Sequence, residues 1–449
     1  MAANNVIGLG GPDDTFLAGE YVLDELLLGK LVDDRIPGQV LFHSILDLQD
    51  LFTTFSILQS IHNPFIRLDI ALGESKQVFE HFGSKGMQGE EFVRIKLKTP
   101  TDEFDTIEGI FYVTGYSPVG KDRHDLGHAL VLRCVSKEKL INDISSVNRH
   151  FHGHLDEIAT NIYKTDIVKH DEFINMGWSE RDFKADLVDG IQSFIIPGLS
   201  PFAAMHFLTL RAFSTDFTGS MYAFFENNKG YNFVNLETTI KDSIESNEED
   251  IPTYTHDSQH NDERYSKKYF RNIQTIFPLK MANTLTKIGN GSFSNRVRSI
   301  DHVKKRFFDT GFDMEEQYKK FDTTGHVFNM TSAFYNRFCD TPVDFTIIKD
   351  TADIENNTES FEHIIGKRKA YMNLLTSFGY NIVVYGDTNL NVGTVINLDL
   401  IEGGTSERKD TSIYTGYYFI TDLVHTIDKG KFNTTLSIAK DSLDRVHGE

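Results

Sequence analysis

The sequence predicts an α+β chain that is mainly β, with two similar antiparallel β-barrel-like domains and a large mixed α/β insertion between them. Three observations carry that prediction. Near the C-terminus, Gly416 to Lys440 reads GYYFITDLVHTIDKGKFNTTLSIAK. Aromatic and β-branched residues fill two arms, Tyr417–Thr426 and Phe432–Ala439, and the turn Asp428-Lys429-Gly430 places a glycine where a hairpin needs positive φ. Far earlier, Gly109-Ile110-Phe111-Tyr112-Val113-Thr114 aligns with Gly416-Tyr417-Tyr418-Phe419-Ile420-Thr421, each a glycine, four strand formers and a threonine. Upstream, Phe92-Val93-Arg94-Ile95-Lys96-Leu97 matches Val395-Ile396-Asn397-Leu398-Asp399-Leu400, and downstream Ala129-Leu130-Val131-Leu132 matches Thr435-Leu436-Ser437-Ile438. Three strand-like segments in one order suggest a β-domain present twice; two unrelated meanders are the alternative. Third, the hydrophobic period between the copies changes from two to that of helices.

Composition bounds the class. The chain has 449 residues, 40% hydrophobic and 24% charged, room for about two to four globular domains. No apolar run approaches the roughly 20 residues of a membrane span. The opening MAANNVIGLGGPDDTFLAGE lacks the basic and apolar regions of a secretory signal and reads as a flexible arm. Two cysteines, Cys134 and Cys339, cannot build a disulfide scaffold or a four-thiolate zinc site. A formal charge of −20 argues against a sequence-independent DNA clamp, which needs cations to neutralise phosphates. It suits a surface past which DNA slides without sticking.

In order, Glu20–Leu28 and Gly38–Phe42 are apolar enough for strands or a short helix, and the pattern does not decide. From Phe65, FIRLDIAL alternates as a strand after the turn at Pro64, and SKQVFEHFG reads as a short helix or turn. The first β-set is Glu91–Lys98, Ile107–Tyr116 and His128–Val135, with FVRIKLK implying one buried and one wet face. SKEKLINDISSVNRHF then sets Leu140, Ile141, Ile144 and Val147 at helical spacing with Ser136 as N-cap. A helical pattern follows over His154–Tyr163. Pro201–Phe213 is the clearest helix, capped by Ser200, with Phe202, Met205, Leu208 and Ala212 on one face. Met221–Leu236 is an aromatic hairpin with an Asn/Gly turn. Residues 242–263 are acidic and poor in apolar groups, the pattern of an exposed loop. Arg271–Ile288 and Ser292–Ile300 resume order, the latter as a strand. Phe361–Phe378 predicts a helix with His363, Lys367 and Lys369 on its polar side and Gly379 as C-cap. The second β-set follows at Tyr380–Tyr385, Gly393–Leu400, Tyr414–Thr426 and Lys431–Lys440.

Catalytic signals are absent. His150, His152 and His154 in RHFHGH match no standard zinc spacing, and a solvated helix start or loop is preferred. Glu90/Glu91, Glu248/Glu249 and Asp387 are abundant carboxylates without a catalytic context. There is no GxSxG, HExxH or GxxxxGK[ST]. GLGGPDD does not link a strand to a helix, so it is not a phosphate cradle, and Trp178 reads as core or interface rather than sugar platform. No catalytic, cofactor-binding or metal residue is therefore assigned, no cofactor is expected, and the chain is read as not an enzyme.

The β-sets and the segments between them resemble the central hub subunit of the baseplate of contractile-tailed bacteriophages, a family related to the N-terminal part of type VI secretion spike proteins. VGTVINLDLIEGG and GYYFITDLVHTIDKGKFNTTLSIAKDSL look like its terminal tube domain, and GEEFVRIKLKTP, IEGIFYVTGYSP and HALVLRCVSKEKL like its first. PGLSPFAAMHFLTLRAFS and MYAFFENNKGYNFVNL are similar to the helix and hairpin after the first domain. The resemblance spans residues 36–443. The N-terminal arm at 1–35 and the acidic loop at 242–263 have no counterpart in the family; the resemblance implies a first tube-like β-domain at 36–136 and an inserted region at 137–378. Within that region 200–236 is expected to pack with the second tube domain, at 379–443, which a tail at 444–449 follows.

The family's function is then the expectation: a homotrimer whose six tube-like domains form a ring, adapting the six-fold tail tube to a trimeric central spike. Expected partners are that spike, a tail tube or tube-initiator protein and the surrounding baseplate wedge proteins. Genomic DNA would pass through the lumen without specific binding, and no membrane is expected. The location implied is the virion tail baseplate, assembled in the host cytoplasm. A baseplate-associated cell-wall hydrolase, separable by a zymogram, and a hub or spike component of a secretion-type injection machine are the alternatives. The strands of Gly416–Lys440 are expected to pack between subunits as well as within the chain.

Overall fold

The computed structural model describes residues 18–31, 42–73, 86–100, 104–118, 129–168, 181–216, 219–246, 251–256, 271–281, 283–301, 305–314, 334–339, 342–348, 353–355, 361–400, 412 and 414–442. The first β-unit contains β1 (Val22–Leu31), β2 (Phe42–Asp47), β3 (Phe52–Ser60), β4 (Arg67–Leu72), β5 (Glu91–Lys98), β6 (Ile107–Pro118) and β7 (Leu130–Ser136). They lie in the order β3-β4-β7-β6-β5-β1-β2, all neighbours antiparallel. Period-2 alternation sets the faces, as FVRIKLK predicts: Val93, Ile95 and Leu97 are fully buried. The wet face is laced with charge, Arg94 Nε meeting Glu25 at 2.9 Å and Lys98 meeting Asp24 at 3.2 Å. One expectation is corrected here. β1 lies between β2 and β5, with Leu26 and Leu28 fully buried, so residues 22–31 belong to the first unit and not to an arm. The helix or turn expected at SKQVFEHFG lies outside the described residues.

The middle of the chain builds smaller layers. α1 (Lys137–Ile144), β8 (Val147–Gly153), α2 (Leu155–Ile162), β9 (Asp182–Ala185), β10 (Ile191–Leu199), α3 (Pro201–Thr209), β11 (Tyr222–Asn227), β12 (Gly230–Asn235) and α4 (Leu236–Ser246) follow in order. The helix expected through Val147 ends at Ile144; Arg149–Gly153 of RHFHGH runs in β8, and His154 is the N-cap of α2, the helix start expected there. Neither Ser136 nor Ser200 caps through its side chain; Asn142 Oδ1 accepts from Phe202 N at 2.7 Å. Phe202, Met205, Leu208 and Ala212 are buried together, on the face read from the sequence. Part of 242–263 is regular: α4 runs to Ser246, and β13 (Thr253–Thr255) pairs in parallel with β20 (Val395–Asp399). Residues 247–250 and 257–270 lie outside the described residues.

The second β-unit draws on more of the chain than 379–443. β14 (Ile273–Met281) joins it ahead of a small layer of α5 (Thr284–Gly289), β15 (Ser294–Asp301), β16 (Arg306–Asp313), β17 (Val343–Ile348) and α6 (Phe361–Leu375), while β18 (Asp353–Glu355) returns to pair with β10 of the middle region. Then come β19 (Phe378–Tyr385), β20, β21 (Gly416–Asp428) and β22 (Lys431–Lys440), in the order β14-β19-β22-β21 with β20 and β13 alongside. α6 stops at Leu375 rather than Phe378, Gly379 sits inside β19, and Lys367 is buried rather than on a polar surface. The β21–β22 turn is two residues, Lys429-Gly430, with Gly430 at φ +101°.

The hairpin β11–β12 is a wedge with two faces. Ala223, Phe225 and Val234 enter the core of the second unit, while Tyr222, Phe224, Tyr231 and Phe233 enter the core of the middle region. Gly393 (φ +84°) leaves the space that Phe225 fills, since a Cβ there would come within 2.5 Å of the ring.

Candidate assembly interface

β21 joins everything. Up to Phe419 it pairs with β20; beyond, Asp422–Asp428 pairs with β3 of the first unit, making one 13-stranded sheet from both units. β6 has β5 on one edge up to Tyr112, as β21 has β20, and β7 on the other edge from Phe111, as β21 has β22. In each strand one threonine is bulged out of the ladder: Thr114, between Val113 and Gly115, and Thr421, between Ile420 and Asp422. Thr114 Oγ1 donates to Arg133 O at 2.9 Å, the residue across from the bulge, and Thr421 Oγ1 donates to Ser437 O at 3.1 Å in the same relation. These are the threonines that end the two aligned sequence segments. Val395 faces Phe419 as Phe92 faces Tyr112, so the second alignment also holds in register. The third is shifted by two: Arg133 and Cys134, not Val131 and Leu132, correspond to Ser437 and Ile438.

The seam between β21 and β3 has a polar end and an apolar end. Ser60 Oγ donates to Asp422 Oδ1 at 2.6 Å, Gln59 Nε2 donates to Asn228 Oδ1 at 2.8 Å, and Asn391 Oδ1 accepts from Asn228 N at 3.1 Å. At the other end Ile427 and Phe432 enter the core of the first unit, and Lys429 Nζ reaches Asp50 O at 3.0 Å. β21 thus lies between β22, β20 and β3, and β22 between β19 and β21. Within the chain, both ladder edges of these strands are therefore occupied, so any packing of Gly416–Lys440 between subunits is through their faces.

His425 lies fully buried in this seam, its Nδ1 2.9 Å from Thr434 Oγ1 and its ring edge-on to Phe432. Burial pushes its pKa from 6.5 down to about 3. The unfolded chain takes up a proton below pH 6.5 that the native chain refuses until about pH 3, so stability falls as pH drops through that window. In urea titrations from pH 7 to 4, His425→Leu is expected to lose less stability than the native chain, by up to about 1.4 kcal/mol per pH unit below 6.5. Parallel curves would refute a neutral buried imidazole.

A second joint ties the first unit to the middle region. Glu226, on the wedge, is a fully buried carboxylate. It accepts from Ile66 N at 2.8 Å and from the Ser136 hydroxyl, and faces Arg181 Nη1 at 3.2 Å. Arg181 also donates to Asn227 O at 2.7 Å. Burial raises the Glu226 pKa to about 7, against Arg181 and with Glu138 adding to the rise. Sequence reasoning missed this residue; a lone charge in the run MYAFFE was its only signal.

Of the residues weighed for chemistry, His150 and His152 stand exposed on β8, His150 Nε2 3.0 Å from Ser193 Oγ, while His154 Nδ1 lies 3.2 Å from Val188 O. Glu91 is buried, holding Gln88 N and Gly89 N at 2.7 Å and Lys30 at 3.3 Å. Asp387 accepts from Tyr254 OH at 3.0 Å. Burial raises the Asp387 pKa, with Asp105 adding to the rise; Glu248, Glu249, Trp178 and GLGGPDD lie outside the described residues. Among the described residues no group of three or more His, Cys, Asp or Glu could hold a metal ion, and no helix is long and apolar enough to cross a membrane.

No protein-family model and no curated protein matches the chain. Solved structures do. A tail protein from Neisseria meningitidis MC58 aligns over 93% of this chain and 97% of its own, with 10% identity and a TM-score of 0.49. The 43 kDa tail protein of prophage MuSo2 from Shewanella oneidensis aligns over 93% and 98%, with 10% identity and a TM-score of 0.49. The E. coli c3393 protein, described as a type VI secretion component with similarity to T4 tail proteins gp27 and gp5, aligns over 87% and 74%, with 11% identity and a TM-score of 0.40. Over most of its length, therefore, the chain is similar to phage tail proteins and to a type VI secretion component.

Proposed function

We propose that this chain is the structural hub of a contractile-tail baseplate, a homotrimer whose six β-units make a ring between the six-fold tail tube and a trimeric central spike. The observation that carries the reading is the pair of β-units with threonine bulges at equivalent positions, joined in one sheet within one chain. Three copies supply six similar but non-identical units, which is what a match between six-fold and three-fold neighbours requires. The sequence resemblance supplies the partners: the spike, the tail tube or its initiator, the baseplate wedge proteins, and DNA passing through the lumen of a virion tail. Assembly in the host cytoplasm belongs to the same reading, as does a structural rather than catalytic role.

The test is the native mass of the purified protein, alone and mixed with the spike protein encoded nearby. Three chains binding one spike trimer is the expected result. A single chain indifferent to the spike at every concentration would remove the symmetry argument.

A further inference from the structure

We infer that successive copies of this chain join through a second seam, in which Tyr116–Pro118 of one copy pairs antiparallel with Pro278–Met281 of the next. The inference rests on the trimeric reading above for the number of copies, and on strand equivalence for its location.

Inside the chain the seam is made by β21 beyond its bulge and by β3. Each has a counterpart. The counterpart of the first is Gly115–Pro118, beyond the bulge in β6, where β7 holds one edge and β5 has stopped at Tyr112 on the other. The counterpart of the second is β14. It pairs with β19 as β3 pairs with β4, with a bulge at the matching place: between Ile273 and Thr275, and between Phe52 and Thr54. β14 is also a terminal strand of the sheet. The internal seam therefore uses one copy of each half and leaves the other copy of each at opposite ends of the two units. A contact between those halves is head-to-tail; such a contact builds a ring when its rotation closes and a filament when it does not, and the trimeric reading selects the ring of three.

The internal register fixes the outer one. β21 and β3 set His425 against Ile57 and Val424 against Leu58. Carried through the strand equivalences, these become Pro118 against Pro278 and Ser117 against Lys280. Proline offers no N–H, and in this register both missing donors fall on one rung instead of spoiling two. The exposed side chains agree: Phe277 is 57% exposed, Leu279 50% and Tyr116 47%. Apolar groups on terminal strands invite pairing with another chain, and here the second seam covers them.

The experiment co-expresses two differently tagged chains, one carrying Ser117→Cys and the other Lys280→Cys, and oxidises the assembled protein. Native Cys134 and Cys339 are buried and give the background. A disulfide joining the two tags is expected, absent when either variant is expressed alone, and the double variant is expected to run as a covalent trimer. Phe277→Asp, a change on an exposed side chain, is expected to weaken association at least tenfold while leaving the unfolding transition in place. A three-chain mass without the 117–280 link, or with a link from Ile45→Cys to position 280 instead, overturns the seam and leaves the hub reading standing. A single-chain mass at every concentration overturns both.

Discussion

Replacing Phe419 by aspartate is expected to leave no cooperatively folded protein. Phe419 is fully buried beside Tyr418, Ile420 and Leu423, at the point where β21 passes from β20 to the inter-unit seam. Its backbone pairs with Val395 on one side and Ala439 on the other, so the side chain has no route to solvent by a shift of register. Removing a buried phenylalanine costs about 3–5 kcal/mol in lost transfer and cavity terms. An unpaired carboxylate in the same space costs several kcal/mol more. The sum is of the order of the whole stability of a typical domain, about 5–15 kcal/mol. Because β21 belongs to the sheet of both units, the loss is expected to reach the first unit as well. Phe419→Leu keeps the site apolar and is expected to fold with a deficit of roughly 1–2 kcal/mol. Far-UV dichroism and urea unfolding of both variants decide the matter. A soluble Phe419→Asp chain unfolding within 1 kcal/mol of the native one would be incompatible with the packing described.

What the sequence made legible, and what it did not, follows from the period of a strand. Alternating FVRIKLK and the paired arms of GYYFITDLVHTIDKGKFNTTLSIAK declared their buried faces directly, and both β-sets stand where the pattern put them. A shift of two residues leaves every side chain on the same face. Pattern alone therefore could not separate Val131–Leu132 from Arg133–Cys134 as partners of Ser437–Ile438. The bulges at Thr114 and Thr421 settle that register, and a bulge is a backbone event with no hydrophobic signature. β1 was undecided because the adjacent acids Asp24 and Glu25 break strict alternation in VLDELLL, and the register shift between Leu23 and Glu25 that accommodates them leaves no hydrophobic signature. RHFHGH misled through composition: three polar rings suggested a solvated loop, whereas Phe151 between His150 and His152 faces the core and makes the segment a strand. The joints between units were not legible at all, since Glu226, Arg181, Ser136 and Ile66 come from four distant places and meet only when the layers stack.

That buried joint carries the second large effect. Glu226→Ala would leave Arg181 facing an empty space, with Ile66 N and the Ser136 hydroxyl deprived of their acceptor. Breaking a buried ion pair from one side costs about 3–5 kcal/mol, more than the pair contributes net, because the remaining charge stays desolvated. Glu226→Gln separates shape from charge: its amide oxygen can still accept from Ile66 N. The sign of the pH effect follows from the raised pKa. A carboxyl at about 7 in the fold and 4.5 unfolded is held fully stable below pH 4.5, and its contribution drains away as pH rises through about 7. The native chain is therefore expected to lose stability relative to Glu226→Gln as pH rises from about 4.5 to about 7, the difference levelling off above that with glutamine most favoured. Arg181 works against this trend, and Arg181→Met is expected to steepen it by leaving the ionised carboxylate without its nearest cation. A pH-independent difference between glutamate and glutamine would mean that the carboxylate stays ionised throughout. The joint would then be a fixed ion pair, and the first unit and the wedge would be held together equally across that range.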